Sequence, residues 1–382
     1  MQYRTFGKLE WKPSALGFGA MRLPILEGDT GKIDEDLAMR MIRSAIDAGV
    51  NYVDTAWPYH KGQSEPFVGR CLQDGYRDKV KVATKLPSWL VKEPADFDTF
   101  LNAQLEHLQT DTIDFYLLHG LNKTAWPNLR DLGVLEWADK AISSGRIQHL
   151  GFSFHDDLSL FKQIIDAYDW TFCQIMYNYM DTDFQAGREG LHYAANKGIA
   201  VVVMEPLRGG SLTRPAPAPV AKLWSTASTK RSQADWALQW VWNQPEVSLV
   251  LSGMSEMIHV EENLVSASAS GVGMLTPEEL DLVERVSQAY RALSPIPCTD
   301  CKYCMPCPSS VSIPRIFSIY NAYKMYGDEA GAKRSYNQFT KPENRADQCV
   351  ECGQCEQACP QQIEIIQWLK TCHDFLAEST SS

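Results

Sequence analysis

The sequence predicts an α/β protein: a (β/α)8 TIM barrel followed by a smaller, mostly α-helical domain. Three observations carry this expectation. Eight short apolar runs recur over the first three quarters of the chain, bounded by turn residues. Helix-like patterns fill the gaps between them. Repeated strand–helix units imply a parallel sheet, and eight of them close into a barrel, with a doubly wound sheet as the alternative. The third observation is the cysteines: there are eleven, and nine lie after residue 297. The stretch Leu293-Ser294-Pro295-Ile296-Pro297 reads as a linker. The domains expected are therefore 1–292 and 293–382.

In order, residues 3–12 read as a β-hairpin turning at Gly7-Lys8. Ala15 to Phe18 is the first buried strand, ending at Gly19-Ala20-Met21-Arg22. Asp34 caps the first helix, whose apolar stripe is Leu37, Met41, Ile42, Ala45 and Ile46, and Gly49 ends it. Further strands centre near residues 53, 82, 116, 150, 174, 202 and 249. Helical patterns occupy 64–72, 95–108, 130–144, 158–167, 188–196 and 233–243. Residues 208–230, with Pro215, Pro217 and Pro219, read as a loop overhanging the active face. Thr276-Pro277-Glu278-Glu279 is a capping box opening a helix to Leu293.

The length of 382 residues suits a barrel plus an appendage, and 45% apolar residues supply a large core. A net charge of −11 argues against nucleic acid and anionic membranes as partners. No apolar run spans a bilayer and residues 1–6 lack a signal-peptide core. A cytoplasmic location without membrane insertion follows by default.

Asp54, Lys85, His119 and Ser153 each close an apolar run. In a parallel barrel such ends converge on the face that holds the active site. Tyr59 follows Asp54 in the same loop. Reducing a carbonyl with a nicotinamide needs a hydride and a proton. A phenol with an ordinary pKa of about 10 is a weak acid for this, and a neighbouring ammonium lowers it. Lys85 fits that part, Asp54 would keep Lys85 charged and fixed, and His119 would orient the carbonyl or relay the proton. One Asp, Lys or His at a strand end is more often structural. The set of four at successive ends is harder to dismiss.

The stretches Gly17-Phe18-Gly19-Ala20-Met21-Arg22, Asp54-Thr55-Ala56-Trp57-Pro58-Tyr59, Ala83-Thr84-Lys85 and Asp114-Phe115-Tyr116-Leu117-Leu118-His119 resemble the aldo-keto reductase superfamily over residues 1–292. The resemblance implies a catalytic tetrad of Asp54, Tyr59, Lys85 and His119, an NAD(P)H cofactor and a small carbonyl substrate. It places Gly19, Met21, Ser153 and Gln174 at the cofactor, the last two on the carboxamide. Met204 stands where relatives stack a Tyr on the nicotinamide, followed by Pro206 and Leu207. Arg208 and Gly210 would lie near the pyrophosphate. Ser252, Gly253, His259, Glu262 and Asn263 occupy the adenosine end. Where NADP-preferring relatives carry cations this sequence has Gly253 and His259, which leaves NADH open. Trp57, Trp89 and Trp126 follow strand ends and are expected either to wall an apolar pocket or to pack the loops.

The cysteines form two groups: Cys298, Cys301, Cys304 and Cys307, then Cys349, Cys352, Cys355 and Cys359. The second has the bacterial iron–sulfur spacing with Pro360 after the last Cys; the first is one residue shorter before its own Cys-Pro. Three thiolates of one group and the last of the other would hold each cubane. Two [4Fe-4S] clusters are expected, one on Cys298, Cys301, Cys304 and Cys359, the other on Cys349, Cys352, Cys355 and Cys307. Zinc is the competing reading, because four-thiolate zinc sites share the paired spacing. Cys71, Cys173 and Cys372 read as buried thiols. Helical patterns at 313–325 and 363–375 resemble an α-helical ferredoxin, and the whole chain resembles the iron–sulfur branch of the aldo-keto reductases.

Nicotinamide moves two electrons and a cubane moves one. Three readings follow. The barrel is an NAD(P)H-dependent carbonyl reductase whose clusters are structural or link it to a carrier such as a ferredoxin or flavoprotein. Alternatively, an external low-potential donor feeds single electrons through the clusters while the tetrad supplies protons. In the third, an idle barrel accompanies a redox sensor or electron-transfer module. Oxygen-labile cubanes suggest an anaerobe.

Overall fold

A computed structural model of the chain describes residues 1–298, 304–359 and 361–377. They form two compact units: Met1–Gly209 with Arg231–Pro277, and Gly210–Lys230 with Glu278–Ser382. The first unit is a closed barrel of eight parallel strands in chain order. They are β1 Leu16–Gly19, β2 Tyr52–Asp54, β3 Lys81–Leu86, β4 Ile113–Leu121, β5 Ile147–Phe154, β6 Phe172–Met176, β7 Ala200–Met204 and β8 Val247–Ser252. β8 pairs with β1 to close the ring. Each strand lies on one of the expected apolar runs.

The barrel interior explains where the site falls. Tyr52, Ala83, Leu117, Phe172 and Val202 belong to one buried cluster inside it. Side chains two residues apart on a strand share a face. Two residues further along the same strands stand Asp54, Lys85, His119, Gln174 and Met204. The polar residues are thus the uppermost layer of the same interior. The opposite end is shut by Phe6 and Trp11. Phe6 lies 5.1 Å from the Phe115 ring and 5.8 Å from that of Phe172, and Trp11 lies 6.4 Å from the Tyr52 ring. The expected hairpin is therefore an aromatic plug, joined only by the isolated bridges Phe6↔Leu9 and Tyr3↔Ser14.

The first helix, Glu35–Asp47, is capped by Asp34, whose side chain accepts from the Leu37 N–H at 3.1 Å. The helix expected at 130–144 is two, Ala125–Asp131 and Val134–Ser143, because Gly133 turns left-handed between them. The segment expected to be a loop at 208–230 contains a 3₁₀ turn, Arg208–Thr213, and a helix, Ala218–Ser225. Its prolines are compatible with this, since a first-turn Pro lacks only an N–H that the helix leaves unbonded.

In the second unit Ile313–Tyr326, Glu329–Asn337 and Ile365–Leu376 surround a core containing Ile316, Phe317, Tyr320, Tyr336, Leu369 and Cys372. The middle helix was not expected from the sequence. It buries only Ala332 and Tyr336, so its apolar signal is weak. Among the described residues no helix is long and apolar enough to cross a membrane.

Gly151 on β5 faces Phe172 on β6. A Cβ there would lie 2.5 Å from the Phe172 ring and 2.6 Å from its carbonyl oxygen. Gly151→Ala is expected to destabilise the protein by about 1–3 kcal/mol through overpacking. The shift of a urea or thermal unfolding midpoint measures it.

Candidate functional site

Lys85 organises the open end of the barrel. It is 1% exposed. Its ammonium donates to Asp54 Oδ1 at 2.6 Å, to the Thr55 carbonyl at 2.7 Å and to the Tyr59 hydroxyl at 3.4 Å. An ammonium has three donors, and all three are used. Burial alone would pull the Lys85 pKa down, but Asp54 and Tyr59 together hold it above its ordinary value. Burial pushes the Asp54 carboxyl up against the pull of Lys85. The three donor bonds require a charged Lys85, so the pair is read as ionised.

Tyr59 behaves differently from the sequence expectation. Its phenol is raised rather than lowered. Burial is the larger effect, and Lys85 only opposes it. His119 lies at the third side, its ring 6.1 Å from that of Tyr59 and nearly perpendicular to it. Burial, then the nearby charge of Lys85, holds its pKa well below the usual imidazole range. His119 is therefore neutral at physiological pH.

Two features that hold Tyr59 and Lys85 were missed from sequence. Tyr59 opens a tight turn whose next residues, His60 and Lys61, are both left-handed at φ of 52° and 53°. Such residues persist only where the surroundings impose them. His60 is the tie: its Nε2 accepts from the Leu23 N–H at 3.1 Å, and its Nδ1–H donates to the Thr30 carbonyl at 2.9 Å. Behind β3, the buried Glu65 accepts from Thr84 Oγ1 and from Gln104 Nε2. Gln104 also donates to the Lys85 carbonyl at 3.0 Å. These partners come from distant stretches, so no local pattern marks them.

The expected cofactor residues are unevenly placed. Ser153 is buried, and its hydroxyl accepts from the Gly120 N–H at 2.8 Å. Gln174 lies beside Met204, with Nε2 to Sδ at 3.6 Å. Pro206 is buried and Leu207 half-buried. Asn263 is buried and donates to the Ser252 hydroxyl at 2.9 Å, while His259 and Glu262 are exposed on the same helix, Met257–Ser268. Arg208 is bound by its Nε to Asp181 at 2.8 Å. Met21 is exposed, and a Cβ on Gly19 would come 3.3 Å from the Ser252 carbonyl oxygen. Gly210 falls in the second unit. Of the three tryptophans, Trp89 is exposed with its ring 5.1 Å from His119. Trp57 stacks on His107, and Trp126 is buried against Trp170, so these two pack structure.

Among the described residues, three buried polar atoms at the strand ends find no hydrogen-bond partner: Asp54 Oδ2, His119 Nδ1 and Gln174 Oε1. Such atoms are rare in folded proteins unless a bound group or water meets them. A polar ligand such as the nicotinamide carboxamide and a substrate oxygen suits that set.

In the second unit Cys307, Cys349, Cys352 and Cys355 line one cavity of about 180 Å³, together with Cys304. Among the described residues no three His, Cys, Asp or Glu are placed to hold a single metal ion. Four-thiolate groups with this paired spacing suit an iron–sulfur cluster. Cys298 and Cys359 pack against the helical core of the same unit. Cys301 and Pro360 lie outside the described residues. Cys71, Cys173 and Cys372 are buried, and burial raises Cys71 to about 11 and Cys372 to about 12.

A closed (β/α)8 barrel with ionisable side chains gathered at its strand C-termini defines a TIM-barrel enzyme. Residues 15–287 match the aldo/keto reductase family, and the chain belongs to it. It is an NAD(P)-dependent oxidoreductase. Residues 297–364 match a 4Fe-4S dicluster domain. An L-galactose dehydrogenase of Arabidopsis thaliana is 27% identical over 316 residues, covering 77% of this chain and 97% of the relative. An NADH-specific methylglyoxal reductase of Escherichia coli is 24% identical, covering 72% and 95%. The solved holo form of an aldo-keto reductase from Bacillus halodurans superposes with a TM-score of 0.63 at 27% identity, covering 75% and 96%.

Lys85→Met strands the buried Asp54 carboxylate. It is expected to lower unfolding free energy by about 3–5 kcal/mol. The double variant with Asp54→Asn should recover part of that loss, and a double-mutant cycle on denaturant unfolding reads the coupling.

Proposed function

We propose that the barrel reduces an aldehyde or ketone with a nicotinamide cofactor and that Tyr59 is the general acid. The observation that carries this is the Lys85 ammonium held between Asp54 and the Tyr59 hydroxyl. Bound NAD(P)H would supply the hydride. Tyr59 gives its proton to the carbonyl oxygen, and Lys85 at 3.4 Å stabilises the phenolate left behind. Asp54 fixes Lys85 and keeps it charged. His119, being neutral, orients the carbonyl by a hydrogen bond rather than by charge. Trp89, exposed beside His119, gives the substrate an apolar wall. Ser153 and Gln174 would hold the carboxamide, and Gln174 Oε1 is unpartnered for that purpose. The side chains at the β8 end favour NADH over NADPH, and the Escherichia coli relative named NADH-specific supports that choice.

The enzyme proper would span residues 1–292 and the cluster domain 293–382. The cavity ringed by Cys307, Cys349, Cys352 and Cys355 supports one [4Fe-4S] cluster there. A second would sit on Cys298, Cys301, Cys304 and Cys359. They provide one-electron chemistry, suited to an external carrier such as a ferredoxin or flavoprotein. Reduced buried thiols and thiolate-held clusters suit a reducing compartment such as the cytoplasm.

Tyr59→Phe should abolish carbonyl reduction while leaving iron content unchanged; turnover that survives would remove Tyr59 from the acid role. Cys355→Ser should remove roughly half the iron, read by iron analysis and visible absorbance. The pH profile of kcat/KM for reduction should be flat from about pH 6 to 9. A phenol raised by burial stays protonated until above its ordinary value of about 10, and a depressed His119 is already neutral. A limb centred near pH 6.5, the ordinary imidazole value of about that figure, would contradict this assignment of His119.

A further inference from the structure

We propose that Arg22, and not Arg208, is the cation that grips the pyrophosphate of the nicotinamide dinucleotide. The inference rests on the nicotinamide reading above and adds a residue to it. The family resemblance places Arg208, the first cation after β7, near the pyrophosphate. In the folded chain Arg208 is committed to Asp181 at 2.8 Å. A guanidinium already paired with a carboxylate has little charge left for a phosphate.

Arg22 stands at the same end of the barrel, three residues beyond β1. It is exposed, and no ion pair or hydrogen bond engages it among the described residues. Two glycines set its course. A Cβ on Gly253, just after β8, would lie 3.2–3.3 Å from Cβ, Cγ and Cδ of Arg22. A Cβ on Gly209, after β7, would lie 3.4 Å from Arg22 Nη2. The arginine stem thus runs over the end of β8 and delivers its guanidinium to the end of β7. Glycine at both places leaves the backbone open to a ligand. A bidentate guanidinium over bare backbone matches a diphosphate.

Direct binding to the anaerobically purified full chain tests this, by fluorescence quenching or calorimetry. The probes are NADH, NADPH, ADP-ribose and adenosine. ADP-ribose carries the pyrophosphate without the nicotinamide or a 2′-phosphate. Arg22→Gln should weaken ADP-ribose and NADH at least about 10-fold, the loss expected for one charge-assisted contact. Adenosine binding should not move. Arg22→Lys should recover part of the affinity. Arg208→Gln should cost less than Arg22→Gln, and iron content and circular dichroism should match wild type in all variants.

ADP-ribose affinity unchanged in Arg22→Gln would overturn the assignment while leaving the nicotinamide reading intact. So would equal loss for adenosine, a loss confined to NADPH, or a larger loss in Arg208→Gln. A wild-type chain that binds neither NADH nor NADPH would instead overturn the nicotinamide reading, and the inference with it.

Discussion

A lysine ammonium sealed inside a barrel is the constraint from which the rest of this site follows. Removing such a charge from water costs several kcal/mol, and only good geometry offsets it. Lys85 has that geometry: a carboxylate, a backbone carbonyl and a phenol, one for each N–H. Each partner is held in turn. Asp54 ends β2, Thr55 follows it, and Tyr59 is pinned by the left-handed turn at His60. The strand that carries Lys85 is tied from behind by Gln104 and Glu65. The same burial that makes Lys85 costly raises the Tyr59 phenol and depresses His119. The raised phenol of Tyr59 therefore keeps its proton at physiological pH, with the Lys85 ammonium beside its hydroxyl.

Much of the barrel was legible in the sequence because its strands are buried on both faces and write continuous apolar runs. The polar ends of those runs were legible for the same reason: each interrupts a pattern. What sequence could not supply was anything set by a partner far along the chain. Asp181 engages Arg208, 27 residues away, and no local pattern announces that pairing. His60 looks like an ordinary loop residue until Leu23 and Thr30 appear beside it. Direction of titration was hidden too, since spacing shows that Lys85 is near Tyr59 but not how deeply both are buried. Gly133 and the prolines near 217 misled in opposite ways: Gly133 lies inside one expected helix and separates two, whereas Pro217 and Pro219, read as loop formers, stand at a helix start.

The cysteine-rich unit shows the reverse balance. Its cysteine spacing was legible outright as that of an iron–sulfur domain, and residues 297–364 match a 4Fe-4S dicluster domain. Its helices were less so, because a unit this small shares its core among few side chains. The family assigns two-electron chemistry to the barrel, and a 4Fe-4S dicluster domain belongs to one-electron chemistry.

The aromatic plug at the base of the barrel also bears on how the chain is made. Phe6 rests on Phe172, and Arg4 donates to the carbonyls of Trp242 and Gln244. These residues thus find their places only against strands and helices some 170 to 240 residues further along the chain. Contacts of such separation fold slowly.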